Sequence, residues 1–144
     1  MESGIEKAAQ IIANQCVHTA PAGPMPYCVL ALMDSDGYPT ASTLTAARAD
    51  GIREVSFCTG LQSNKALRAG KCARASVCFN GPEHNITLVG DVEIVTDPQV
   101  KQAMWYEPLR RHYSGPEDPQ YCVLRFRTRR YRVFADWRET EGTL

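Results

Sequence analysis

Proline, glycine and aspartate clusters cut this chain into pieces too short for long helices. Pro21, Gly23, Pro24 and Pro26 crowd one stretch; Asp34-Ser35-Asp36-Gly37, Ala49-Asp50-Gly51 and Asn80-Gly81-Pro82 follow, and Ser114–Pro119 is a further polar loop. Each cluster favours a turn and resists continuation of a regular element. Between them lie short runs that read as strands: Tyr27–Met33, Thr40–Ala46, Glu54–Cys58, Arg74–Phe79, Asn85–Val95 and the long Tyr121–Ala135. The first two read as a hairpin around Asp34–Gly37. In Glu54–Cys58, Val55 and Phe57 share one face.

Three segments carry helix signals instead. Ile5, Ala8, Ala9, Ile12 and Cys16 recur at helical spacing over residues 3–16, with Ser3 and Glu6 at capping-box spacing. Ser63 to Ala69 reads as a short helix with Ser63 as N-cap and Gly70 as its stop. Asp97 and Pro98 open a third helix that runs to about Trp105. The expected order is helix, three strands, helix, two strands, helix, strand. That pattern predicts one domain over residues 1–144, mainly β with peripheral helices, its strands rolled into a small closed barrel.

Composition narrows the function classes. Of 144 residues, 44% are hydrophobic, enough for one core without help from metals or disulfides. Sixteen basic residues balance sixteen acidic ones, which argues against a general nucleic-acid binder. Cys16, Cys28, Cys58, Cys72, Cys78 and Cys122 form no C-x-x-C pair, and several sit in apolar runs, as buried free thiols do. No signal peptide is recognised and no apolar run nears the roughly twenty residues of a membrane span, so the cytoplasm is the expected compartment and no membrane partner is expected.

The stretch richest in chemistry is Phe57-Cys58-Thr59-Gly60-Leu61-Gln62-Ser63-Asn64-Lys65. A strand ends, a loop follows, and a helix starts on a hydroxyl with a lysine in its first turn. Free amides at a helix start attract an anion, and the helix dipole adds to them. A plain helix cap with a solvated lysine is the competing reading. The glycine spacing is not that of a Walker loop. His18, His84 and His112 lack ligand spacing, so no metal is expected. Arg125, Arg127 and Arg129 alternate onto one sheet face, followed by Arg130 and Arg132; an ion-paired face is the plainer reading, a grip on anions the sharper one.

Taken together, these segments resemble a known family. Gly37-Tyr38-Pro39 leads into Ala41-Ser42-Thr43-Leu44-Thr45; Phe57, Thr59, Ser63 and Lys65 match an aromatic-x-Thr strand end followed by Ser-x-Lys; and Ile86–Ile94 alternates through Gly90 into Asp91-Val92-Glu93. Asp97, Lys101, Trp105, Tyr113-Ser114-Gly115 and Asp118-Pro119 add to the match. Over roughly residues 25–137 the chain resembles the FMN-binding split-barrel proteins of the pyridoxamine 5'-phosphate oxidase-like superfamily, closest to the general stress protein branch.

The resemblance implies a six-stranded antiparallel split β-barrel, a homodimer, and FMN in a cleft between subunits. It implies that Ser42, Thr43, Leu44 and Thr45 line the ring or ribityl chain, that Cys58 and Thr59 lie beside them, that Ser63, Asn64 and Lys65 hold the phosphate, and that Asn85 brings an amide near the flavin. The true oxidases carry an arginine where this chain has Ser42, a substrate-binding lysine where it has Ala47, and a second arginine where it has Asn64. The expected function is therefore a flavin-dependent oxidoreductase acting with a small-molecule substrate or electron donor, and not vitamin oxidation. A non-catalytic flavin binder, or a split barrel holding a deazaflavin or haem, is the alternative. No catalytic residue is assigned, since a flavin supplies its own redox chemistry.

Overall fold

The structure, a computed structural model, describes residues 3–144 and joins eight strands into one antiparallel sheet. In chain order the elements are α1 (Gly4–Asn14), β1 (Cys28–Met33), β2 (Pro39–Leu44), β3 (Ala46–Asp50), β4 (Glu54–Gly60), α2 (Asn64–Lys71), β5 (Arg74–Gly81), β6 (His84–Val95), α3 (Pro98–Met104), a 3-10 turn at Glu107–Arg111, β7 (Tyr121–Ala135) and β8 (Arg138–Thr143). The sheet order is β2-β1-β5-β6-β7-β4-β3, with β8 pairing on β7. The two ends of that order, β2 and β3, are one stretch of chain bending at Thr45, whose hydroxyl donates to the Pro26 carbonyl at 3.0 Å. That continuity curls the sheet into a split barrel.

The expected count of six strands needs correction to eight, for two physical reasons. The run read as Thr40–Ala46 spans two strands: the chain turns a corner at Thr45, between inward-facing Leu44 and buried Ala46 and Ala47, and pairs with β4 from Ala46 onward, with a register shift between Ala46 and Arg48. The other addition, β8, is polar throughout and gave no periodic apolar signal. It is held by β7, with Arg132 paired to Glu139 at 3.2 Å and to Glu141 at 3.0 Å. The turn joining them places Asp136 and Trp137 at φ 54° and 61°, the left-handed region that tight hairpins require. Counting β2 and β3 as one bent stave leaves six staves, plus the β8 flap.

The helix starts follow the expected caps. Ser3 and Glu6 form a reciprocal capping box on α1, Ser63 caps α2, and Asp97 caps α3 with Pro98 in the first turn. Gly70 does not stop α2; the helix runs on to Lys71 and ends at extended Cys72.

Two apolar clusters form. The larger fills the barrel with Leu30, Phe57, Phe79, Leu88, Leu124 and Phe126, and α1 closes it with Ala8 and Ile12. The smaller lies outside the barrel wall, where α3 and the 3-10 turn bring Trp105 and Leu109 onto Tyr121 and Val123. The long strand β7 serves both. Its first half pairs with β4 and its second half with β8, so the same edge changes partner midway. At that point a bulge interrupts the β6–β7 register between Val89 and Gly90.

Candidate functional site

The β4–α2 corner is built by close approach. A Cβ on Gly60 would stand 2.9 Å from the Tyr113 hydroxyl and 3.6 Å from the Gln120 carbonyl, so glycine lets the 113–120 segment press against the corner. The Leu61 amide donates to the Gln120 carbonyl at 2.8 Å, and the Ser63 amide to the Gly60 carbonyl at 3.0 Å. Ser63 Oγ then accepts twice, from the Ala66 amide at 3.1 Å and from the Thr59 hydroxyl at 2.9 Å. Two accepted bonds fill both lone pairs of a hydroxyl, so the Ser63 proton is left to donate outward. The amides of Asn64 and Lys65 open α2 and lack the i−4 carbonyl that later residues use. Lys65 is half-buried in that first turn. Hydroxyl, amides and ammonium together suit an oxyanion.

The other sequence-selected residues fall into distinct places. Arg68 of α2 reaches Thr40 Oγ1 at 3.1 Å, tying the corner helix to β2. On β2, Ser42 and Leu44 pair with buried Leu30 and Cys28 and share their inner face. Thr43 pairs with Val29, which in turn pairs with Cys78, and belongs to the outer face. Asn85 is exposed near the start of β6, where its Oδ1 accepts from Thr87 Oγ1 at 3.3 Å. Val95, at the other end of β6, pairs with Val123 beside Cys58. Ten residues of strand, about 30 Å, therefore separate Asn85 from the row of Cys58. Within one chain the corner residues come together, whereas Asn85 does not join them.

Cys58 and Thr59 point to opposite sides of β4. The Cys58 thiol donates to the Met104 carbonyl at 3.3 Å and lies 3.4 Å from the Tyr121 hydroxyl. Burial pushes it up to about 12, so it stays protonated. Burial likewise raises Tyr106 to about 12 and lifts Tyr121, whose hydroxyl donates to the Lys101 carbonyl at 2.8 Å.

Support for the corner comes from residues to which the sequence reading gave no part in a site. Lys101 is only 8% exposed; its ammonium donates to the Asp118 carbonyl at 2.9 Å and lies 5.3 Å from the Tyr121 ring centre. The Asp118 carboxylate accepts the Ser114 amide at 2.8 Å and the Gln120 amide at 2.9 Å, and these bonds hold it below the ordinary aspartate range. Gln120 in turn receives Leu61. A lysine on the buried side of a short helix was the one available signal for this clamp.

The arginine stripe on β7 is largely ion-paired. Arg125 and Arg127 share Glu54 and Glu93 at 3.7–3.8 Å, and Arg129 pairs with Asp91. His18 is engaged with the Met104 carbonyl at 3.0 Å and His84 with Gln15 Oε1 at 2.9 Å. No described helix is long and apolar enough to cross a membrane.

Comparison with known proteins identifies the class. The family model described as pyridoxamine 5'-phosphate oxidase matches residues 24–135, and the chain belongs to that family. No curated protein sequence matches it. Among solved structures, general stress protein 26 of Bacillus anthracis str. Sterne is similar in fold, with a TM-score of 0.76, 20% identity, and 98% of this chain and 96% of that one covered. A heme binding protein from Mycobacterium smegmatis superimposes with a TM-score of 0.76 at 18% identity, covering 99% of this chain and 59% of that one. A pyridoxamine 5'-phosphate oxidase-related, FMN binding protein from Nostoc punctiforme PCC 73102 gives 0.64 at 16% identity, covering 82% and 86%.

Proposed function

We propose that this protein binds FMN and works as a flavin-dependent oxidoreductase in the cytoplasm, as a homodimer with the cofactor between subunits. The observation that carries the reading is the Ser63 hydroxyl. Its two lone pairs are spent on Thr59 and Ala66, and its proton, with the Asn64 and Lys65 amides and the Lys65 ammonium, is left for an anion. A flavin phosphate fits that donor set. Its ring would run along Ser42, Leu44 and Thr45, where β2 presents an unpaired strand edge.

The placement of the residues is what supports the homodimer reading. Thr43 and Asn85 belong to the outer sheet face and the phosphate donors to the corner, so a second copy is what would bring an Asn85 to the ring. Burial favours the neutral forms of Cys58, Tyr106 and Tyr121. The protein's own part is then to bind, orient and shield, while bound FMN supplies the electron transfer. Efficient turnover of pyridoxamine 5'-phosphate is not expected, because Ser42, Ala47 and Asn64 offer none of the charges its phosphate needs.

The visible spectrum of the purified protein, mixed with FMN and then with NADH or NADPH, tests this. The expected result is a bound flavin band that bleaches on reduction and returns when an acceptor is added. A haem-type spectrum, or bound flavin that no nicotinamide donor reduces, contradicts the cofactor or the catalytic half respectively. Sedimentation at micromolar concentration with FMN present should give a dimer; a monomer alone overturns the two-chain cleft.

A further inference from the structure

A cluster of arginines lies on the outer sheet face, away from the β4–α2 corner. The bulge in β7 builds it. Thr128 is buried, with its hydroxyl on the Ile52 carbonyl at 2.5 Å, and Tyr131 packs against the barrel core. In a regular strand those two residues would face opposite ways. The bulge puts both inward, so the residues between them, Arg129 and Arg130, both emerge on the outside. Gly90 permits this: a Cβ there would overlap the Arg127 carbonyl oxygen.

Across the strands, Arg74, Asp91 and Arg127 form one row, and Ser76, Val89, Arg130 and Thr143 form the next. Between the rows lies a groove of about 650 Å³, lined by Arg74, Asp91, Arg129, Arg130 and Thr143 over a floor of Val89 and Gly90. It holds three guanidinium groups and one carboxylate, and that carboxylate is taken by Arg129. Among the described residues, neither Arg74 nor Arg130 has a carboxylate within 4.0 Å. The neighbouring groove differs: there Arg125 and Arg127 are matched by Glu54 and Glu93.

We propose that this groove binds a compact, multiply charged phosphate compound of nucleotide size, with Arg74 and Arg130 gripping a diphosphate and Thr143 donating its hydroxyl. Guanidinium forks match phosphate oxygens two at a time, and the volume suits a small ligand. A nucleic-acid strand fits poorly. To continue past the groove it must cross Glu93 and Glu54 on one side or Glu139 and Glu141 on the other.

Calorimetric titration of the full chain with inorganic diphosphate, with ADP, and with a short single-stranded oligonucleotide tests the site. Each titration is made on the native protein saturated with FMN and on Lys65→Ala. Diphosphate and ADP should bind in both, which separates this groove from the corner anchor and keeps the result independent of the flavin reading. Arg130→Ala and Arg74→Ala should each weaken binding about tenfold or more, while Arg111→Ala, exposed and outside the groove, should leave it unchanged. Arg130→Lys, which keeps the charge but loses the fork, should fall between. Equal affinity in Arg130→Ala, loss of binding in Lys65→Ala, or tighter binding of the oligonucleotide than of ADP overturns the proposal.

Discussion

The two apolar clusters of this molecule do different jobs. The barrel interior is aliphatic and aromatic, and it is fully buried through residues such as Leu30, Phe57, Phe79 and Phe126. The outer cluster mixes aromatic rings with polar groups, several of them paired: Tyr121 donates to the Lys101 carbonyl, Cys58 to the Met104 carbonyl, and Lys101 to the Asp118 carbonyl, whereas the buried Trp105 indole nitrogen has no partner. The first holds the barrel. The second holds the 113–120 segment against the β4–α2 corner, and so fixes the candidate anchor. Stability and site geometry therefore rest on separate packing, and variants in the two clusters should separate them.

The largest effect is expected inside the barrel. Phe57→Ala leaves a cavity and should cost about 3–5 kcal/mol in denaturant unfolding. Below its transition, the variant should keep the native ratio of FMN to riboflavin affinity. A changed ratio would mean the two clusters are not independent.

Tyr121→Phe should cost less, about 1–3 kcal/mol, because it strands the buried Lys101 carbonyl without a donor. Unlike the barrel variant, it should loosen the corner. Faster amide exchange at Leu61, measured by NMR, is the readout. Unchanged exchange there would detach the outer cluster from the site.

Alkaline pH offers a graded test. Burial raises the Cys16, Cys28 and Cys58 thiols from 9.0 to about 12, and Cys122 to about 11. An unfolded chain loses these protons as pH passes 9 while the folded chain keeps them, so stability is complete below that pH and falls as pH rises toward 12. Each thiol contributes at most about 1.4 kcal/mol per pH unit. Cys58→Ala should flatten the slope by up to that amount; an unaltered slope would show that Cys58 titrates freely.

The smallest stability effect is the helix cap. Ser63→Ala should cost about 1 kcal/mol. It should also lower FMN affinity, which a cap alone would not do.

Much of the barrel was legible because its signals are local. The turn clusters, the alternation of Val55 and Phe57, and the caps at Ser3, Ser63 and Asp97 each depend on a few adjacent residues. The corner was legible for the same reason, since Thr59, Ser63 and Lys65 are close in sequence. What could not be read depends on distant pairing. β8 is a strand only because β7 lies beside it, and Thr45 is a corner only because the barrel must close. The Lys101–Asp118–Gln120–Leu61 clamp joins three separate segments. The bulge that turns out both Arg129 and Arg130 likewise depends on Gly90, on another strand.

If the β4–α2 corner recognises a phosphate, it should distinguish FMN from riboflavin, which differ by that group alone. Fluorescence titration of both into native protein and Lys65→Ala tests it most directly. The native protein should prefer FMN, and Lys65→Ala should weaken FMN about ten- to hundredfold while leaving riboflavin nearly unchanged. An equal effect on both flavins, or none on either, would contradict the account.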